Sequence, residues 1–186
     1  SRPEERDLSL NQAEIVARLS ATVRDFRPDI VVADPLADLF AGENENDAVQ
    51  MRDTIRSLLR IAQAHNVETG LLLVHHSKSG KSAAAGAVGW DASAYGRGSK
   101  ALLSMARSQI NIAPGDSEGE SLVISCGKNN DGRRFEPFGA LMDPDRLVYE
   151  LDPGFDLETW LSEVAASGGR QSRRKVTQGI VLDCLG

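Results

Sequence analysis

The sequence predicts an α/β fold built on a parallel sheet, and three observations carry that prediction. Two short, continuous apolar runs, Ile30-Val31-Val32-Ala33 and Leu71-Leu72-Leu73-Val74, have the length and composition of strands. Runs without polar alternation fit strands buried on both faces, as parallel sheets require. Segments of helical periodicity precede and separate them, so the order is helix, strand, helix, strand.

Each element has a local reason. Ser9-Leu10-Asn11-Gln12 has the spacing of a capping box, and Ile15, Val16, Leu19, Val23 and Phe26 follow on one helical stripe. Arg27-Pro28-Asp29 stops that helix, because proline disfavours helical backbone in the residue before it. After the first strand, the polar stretch Gly42 to Asp47 leads into a helix carrying Met51, Ile55, Leu58, Leu59 and Ala62, with Asn46 or Asp47 as its cap. Beyond Val74 the texture changes. Residues 77–98 are rich in Gly, Ala and Ser without clear period and read as a long mobile loop. A short helix is expected from Gly98 to Arg107, then strands at Gln109–Ile112, Leu122–Ser125, Phe135–Phe138 and Leu147–Leu151. Pro114-Gly115-Asp116, Asn130-Asp131-Gly132 and Asp143-Pro144-Asp145 separate them as antiparallel hairpin turns. Asp156 is placed to cap a last helix containing Leu157, Trp160, Leu161 and Val164.

Composition narrows the class. The chain has 186 residues, 27 acidic and 21 basic, for a net charge of −6, and is 41% hydrophobic. That content is too aliphatic for a disordered tail, and no apolar run approaches the ~20 residues that span a membrane. Two cysteines, Cys126 and Cys184, lie far apart without metal spacing, which argues against a disulfide scaffold or zinc module. With no signal peptide, a cytoplasmic setting is expected. The chain opens on Ser1 and stops in the apolar run Ile180 to Leu185, so it reads as an excerpt: residues 1–166 form one domain, and residues 167–186 a linker and the start of a truncated module.

Chemistry concentrates at the strand ends. Asp34 follows four apolar residues at the carboxyl end of the first strand, where open parallel sheets bind ligands. This is the Walker B arrangement, in which a carboxylate orients magnesium beside a nucleotide, although an acid there also caps turns. His75-His76 stands at the end of the second strand. One of the pair would face a shared ligand and hydrogen-bond a γ-phosphate, and an ordinary pair of sheet-edge histidines is the alternative. Ser79-Gly80-Lys81-Ser82 is not a phosphate loop, because the required first Gly is replaced by His75 and a loose loop follows. Lys78 and Lys81 are read instead as mobile cations for a nucleic-acid backbone, or as ordinary solvated residues.

Taken together, the stretch from Arg27 to Leu36 resembles the Walker B segment of RepA-like hexameric helicases in the RecA/DnaB superfamily of ATPases. Glu45-Asn46-Asp47 with the Met51 helix, Leu72 to His76, Gly96 to Leu102 and Ser104 to Arg107 agree with it in order and spacing, over roughly residues 10–140. The resemblance implies the C-terminal part of a RecA-like core, with ATP and Mg2+ as cofactors of the intact parent. It makes Asp34 the magnesium-orienting acid and puts His75 and His76 in the sensor motif. It makes Arg107 a finger reaching a neighbouring subunit's nucleotide, and Lys128 a second cation at that interface. Asn130 stands where DnaB-type enzymes carry their arginine, which leaves open whether Arg107 or Lys128 is the finger. Arg97 and Lys100 flank the loop that family members turn toward the channel, so they join Lys78 and Lys81 as candidate contacts to single-stranded DNA.

A phosphate loop and catalytic glutamate would precede the Walker B strand. Only 33 residues precede Asp34, they hold no Gly-Lys-Ser/Thr, and Glu4, Glu5 and Glu14 lie in a polar leader and a helix. The expected function is therefore that of a fragment. The parent is a ring-forming homo-oligomeric DNA helicase or translocase with no membrane association, and this chain is inactive alone. Two alternatives stay open: a RecA-like ATPase with a regulatory or recombination role, and a non-enzymatic remnant. The basic cluster Arg170 to Lys175 is a DNA contact or a solvated linker.

Overall fold

A computed structural model describes residues 10, 12–40, 42–77, 81–96, 100–116 and 118–168. The capping-box residues Ser9 and Asn11, the basic cluster at residues 170–175 and the final apolar run lie outside the described residues.

Helix α1 (Ala13–Phe26) opens the fold and ends where expected, with Arg27 in the left-handed region at φ 54° and its amide bonded back to Val23. Strand β1 (Ile30–Ala33) pairs in parallel with β2 (Gly70–Leu73), in the register Ile30↔Gly70 to Ala33↔Leu73. Between them runs α2 (Ala48–Ala62), capped by Asp47, whose carboxylate accepts from the amides of Val49 and Gln50. Met51, Ile55, Leu58 and Ile61 of α2 pack with Val23, Ala33 and Leu36 into a first core.

One expectation needs correction here. The parallel strands are buried on one face only: Val31, Leu71 and Leu73 pack on the helices, whereas Ile30 is 62% and Val32 56% exposed, with Leu72 and Val74 also exposed. Period-two geometry sends alternate side chains to opposite faces, and the helices described here cover one of them.

The second half is an antiparallel sheet in the order β3 (Ser108–Pro114), β4 (Ser121–Asn129), β5 (Phe138–Asp143), β6 (Val148–Asp152). The hairpins are those expected, but the third strand starts later than the apolar residues from Phe135 suggest. Pro137 cannot donate to a ladder, so pairing begins after it, at Phe138. The fold is α/β, a two-stranded parallel sheet followed by a four-stranded antiparallel one, as in part of a RecA-like core. Helix α5 (Leu157–Gly168) starts at Asp156, whose carboxylate accepts from the Thr159 amide at 2.7 Å and is held below its ordinary pKa by that residue.

The segment expected as a loose loop is the largest departure. After β2 it forms α3 (Lys81–Ala84) and two 3-10 turns, Ala85–Ala87 and Ala92–Ala94. Ala84, Ala87, Val88 and Tyr95 are buried there with Val123 and Trp160 in a second core. Small residues give a helix no amphipathic signature, yet they let its backbone approach a sheet closely. A side-chain clamp does the rest. The Asn111 amide nitrogen donates to the carbonyls of Ala87 (2.9 Å) and Ala92 (2.7 Å), and the Ser125 hydroxyl also donates to Ala87. Asn111 and Ser125 are both buried, so these bonds satisfy groups that would otherwise be stranded.

The β3–β4 turn is held by Asp116. Its carboxylate accepts from the Ser121 hydroxyl and from the amides of Gly119, Glu118 and Glu120, which lower its pKa from 3.8 to about 2. A carboxyl depressed in the folded state adds stability above its unfolded value, and that contribution is lost as pH falls through the folded one. The stability difference between wild type and Asp116→Asn should therefore be fully present above pH 3.8 and shrink as pH approaches about 2. Denaturant midpoints measured across that window check it, and a pH-independent difference contradicts it.

Candidate functional site

The parallel pairing brings the first group of candidates together. Asp34 and the His75-His76 pair leave β1 and β2 at the same end, because Ala33 and Leu73 are register partners. The pairing continues past the strands through the Val74 amide donating to Ala33 (2.9 Å) and the Leu36 amide donating to Val74 (2.8 Å). The Asp34–Pro35 peptide is cis. Asp34 and His76 are exposed at this end and His75 is partly buried. This is the carboxyl edge of a parallel pair, where such sheets hold ligands.

His75 also sits against the segment that follows it. Ser77 bridges Gly96 across the base of that segment, and a Cβ on Gly96 would lie 3.6 Å from His75 Cδ2. His75 therefore lies beside Gly96, at the far end of that segment. Lys81 begins α3, so the residues that follow it form helical turns rather than the loose loop expected. The missing first Gly, replaced by His75, still excludes a phosphate loop there. Lys100 is exposed at the start of α4 (Lys100–Met105). Lys78 and Arg97 lie outside the described residues.

Arg107 and Lys128 form a second group where α4 meets the β3–β4 pair. Arg107 is exposed and ion-paired to Asp131, and its carbonyl accepts from the Asn130 amide at 3.0 Å. Asn130, the position that stands against the arginine of DnaB-type enzymes, is thus in backbone contact with Arg107. Lys128 Nζ donates to the Leu103 carbonyl at 2.9 Å, near the negative end of α4.

Lys128 reaches that carbonyl because of a bulge. Gln109 pairs with Lys128 but Ile110 pairs with Cys126, so Gly127 is the extra residue. In unbroken alternation Lys128 would share the face of Ile124 and Cys126. The bulge turns it instead to the face of Gln109 and Asn111, where the helices lie. A side chain at the bulge would crowd its neighbours. A Cβ on Gly127 would come within 2.9 Å of the Gln109 side-chain amide and 3.0 Å of Asn111 Nδ2. An isolated glycine within a strand pattern is a signal for this, and it was available in the sequence. Nothing comparable pointed to Asn111, whose role depends on a loop some twenty residues away in the chain.

Among the described residues no three His, Cys, Asp or Glu side chains gather to hold a metal ion. Magnesium takes one or two carboxylates and completes its shell with waters and substrate phosphates, so Asp34 suits a metal that arrives with a nucleotide. The sequence ahead of Asp34 offers no phosphate cradle, and no step of hydrolysis is assigned to these residues alone. An open hollow of about 470 Å3 lies on α2, lined by Asp53, Arg56 and Arg60, none of which is a candidate. No described helix is long and apolar enough to cross a membrane.

Residues 3–82 match a family model described as an AAA domain, of the kind found in RecA-like and helicase-type ATPases. The match takes in Asp34, His75, His76, Lys78 and Lys81, and stops short of Arg97, Lys100, Arg107 and Lys128. No curated protein matches the chain. At a coarse level, the first part of the chain is thus similar to a nucleotide-dependent ATPase type of domain.

The bulge makes a stability prediction. Gly127→Ala forces the Gln109 and Asn111 amides apart and should cost about 1–3 kcal/mol, as overpacking of buried sites does. Urea denaturation measures it, and an unchanged midpoint would show that the two amides yield freely.

Proposed function

We propose that this chain is the C-terminal part of a RecA-like ATPase core from a nucleotide-driven DNA translocase or replicative helicase of the RepA type, acting in the cytoplasm. The observation that carries the reading is the placement of Asp34 and His75-His76 at one end of a parallel strand pair, within the residues that match an AAA domain.

In this reading Asp34 orients the magnesium of a bound ATP through water, the metal supplying charge neutralisation of the phosphates. The His75-His76 pair senses the terminal phosphate, and His75 passes its state to Gly96 and the loop between. Arg107 acts on the nucleotide of the neighbouring subunit, which requires it to exchange Asp131 for phosphate. An exposed ion pair of this kind is worth roughly 1 kcal/mol or less, so the exchange is inexpensive. A finger supplied in trans implies a repeated head-to-tail contact and hence a ring or filament. Lys128, tied to Leu103, is the less mobile of the two cations. Lys78, Lys81, Arg97 and Lys100 provide the contacts to a single DNA strand.

Two measurements test the reading. The isolated chain should show no micromolar affinity for ATP by calorimetry, because it has no phosphate cradle, and tight binding would overturn that assignment. In a homologue that carries a phosphate loop ahead of its Asp34, Arg107→Ala should lower kcat about a thousandfold, the scale of an arginine finger. Wild-type hydrolysis would remove Arg107 from the mechanism. Hydrolysis without DNA unwinding would instead favour a regulatory or recombination ATPase.

A further inference from the structure

One side of the antiparallel sheet is apolar and bare across all four strands. The register pairs Ile110 with Cys126, Ile112 with Ile124, Ile124 in turn with Phe138, and Ala140 with Leu151. Alternation puts these residues on the side away from Asn111, Ser125 and the second core. Ile110 is 64%, Ile112 56% and Leu151 67% exposed. Although 26% of the chain is charged, no charged side chain lies among the paired residues of this face. With strands about 4.8 Å apart and facing residues repeating every ~6.8 Å, it measures roughly 20 Å each way, on the order of 400 Å2. Exposed apolar patches of that size mark interaction sites.

The rim of this face is charged, with opposite sign at its two ends. The β3–β4 and β5–β6 turns leave the sheet at one end and carry Asp116, Glu118, Glu120 and Asp145, while Arg146 is engaged by Asp143 and Glu150. The first of these turns leans over the bare side. Tyr149, which pairs with Met142 on that side, donates its hydroxyl to the Gly119 carbonyl at 2.9 Å. The β4–β5 connection at the opposite end carries Arg133 and Arg134 against Glu136, and its Asp131 is taken by Arg107. It too leans on this side, since the Phe135 ring packs on Phe138 with centroids 5.9 Å apart. Glu118, Glu120, Arg133 and Arg134 are all exposed.

A partner that fits must be apolar in the middle and carry the two charges reversed end for end. A second copy meets that requirement when it is turned about an axis that crosses the strands, because its basic end then lies on the first copy's acidic end. An axis along the strands would set acid on acid, which opposes docking. We propose that the bare side of the β3–β6 sheet is a self-association face, on which two copies stack sheet on sheet, about 10 Å apart, with their strand directions reversed. In that arrangement the row Ile112, Ile124 and Phe138 of one copy meets the same row of the other. The contact is isologous and closes at two, so it is separate from any head-to-tail contact made through Arg107.

Sedimentation velocity on the full chain tests this. Two such faces with their rims bury about 1,000 Å2, at the weak end of specific contacts, so a dimer with a micromolar dissociation constant is expected. Ile112→Lys should weaken it about tenfold or more. Charge reversal reads the orientation separately. Arg133→Glu with Arg134→Glu in one chain, and Glu118→Lys with Glu120→Lys in another, should each weaken association about tenfold at low salt. An equimolar mixture of the two chains should recover it, because each then offers the other the opposite charge at both ends. Circular dichroism establishes that the variants are folded, and if Ile112→Lys is not, the exposed charge variants decide alone. A monomer at about 100 μM would overturn the inference. A dimer that survives Ile112→Lys would place the contact elsewhere and overturn it as well, leaving the ATPase reading intact. Charge-reversed chains that associate like wild type, or that fail to recover on mixing, would rule out the end-for-end copy as the partner.

Discussion

Much of this molecule depends on one buried amide. Asn111 sits on β3, facing the helices, and donates to two carbonyls of a segment that precedes it in the chain. Its own oxygen accepts from Gln109 at 2.7 Å, so the group is fully engaged in a site that excludes water. Without it, the Ala87 carbonyl would keep only the Ser125 hydroxyl, and the Ala92 carbonyl only the longer bonds from the Tyr95 amide and the Gln109 side chain. With it, a glycine- and alanine-rich stretch becomes a fixed element, and the second core closes over it.

That constraint ties the two halves of the fold to one another. At its start, the clamped segment leaves the strand end where His75 stands, and Ser77 and Gly96 close its base. At its other end it leads into α4, whose Leu103 carbonyl receives Lys128 and which is followed by Arg107. The carboxyl edge of the parallel pair and the cation cluster at β3–β4 are therefore the two ends of one continuous piece of chain. The bulge at Gly127 belongs to the same arrangement, since it brings Lys128 to the face where Asn111 works.

The open faces follow from what the helices cover. Ile30, Val32 and Leu72 lie bare on one side of the parallel pair, and Ile110 and Ile112 on the outer side of the antiparallel sheet. Each alternates with a buried neighbour, as strand geometry requires.

The sequence by itself determined the elements whose causes are local. Pro28 ended α1, Asp47 and Asp156 capped α2 and α5, and turn residues separated the four antiparallel strands. The positions of Asp34 and His75-His76 at strand ends were legible for the same reason, since an apolar run followed by a polar residue marks where a strand stops. What the tertiary structure decided rests on contacts between distant residues. Whether a strand face is covered depends on how many helices reach it, so the bare side of β1 and β2 had no signature in a continuous apolar run. The ordering of residues 81–96 depended on Asn111 and Ser125, which lie beyond the segment they hold. In the sequence the segment therefore reads as a loose loop, and only side chains from two later strands fix its backbone.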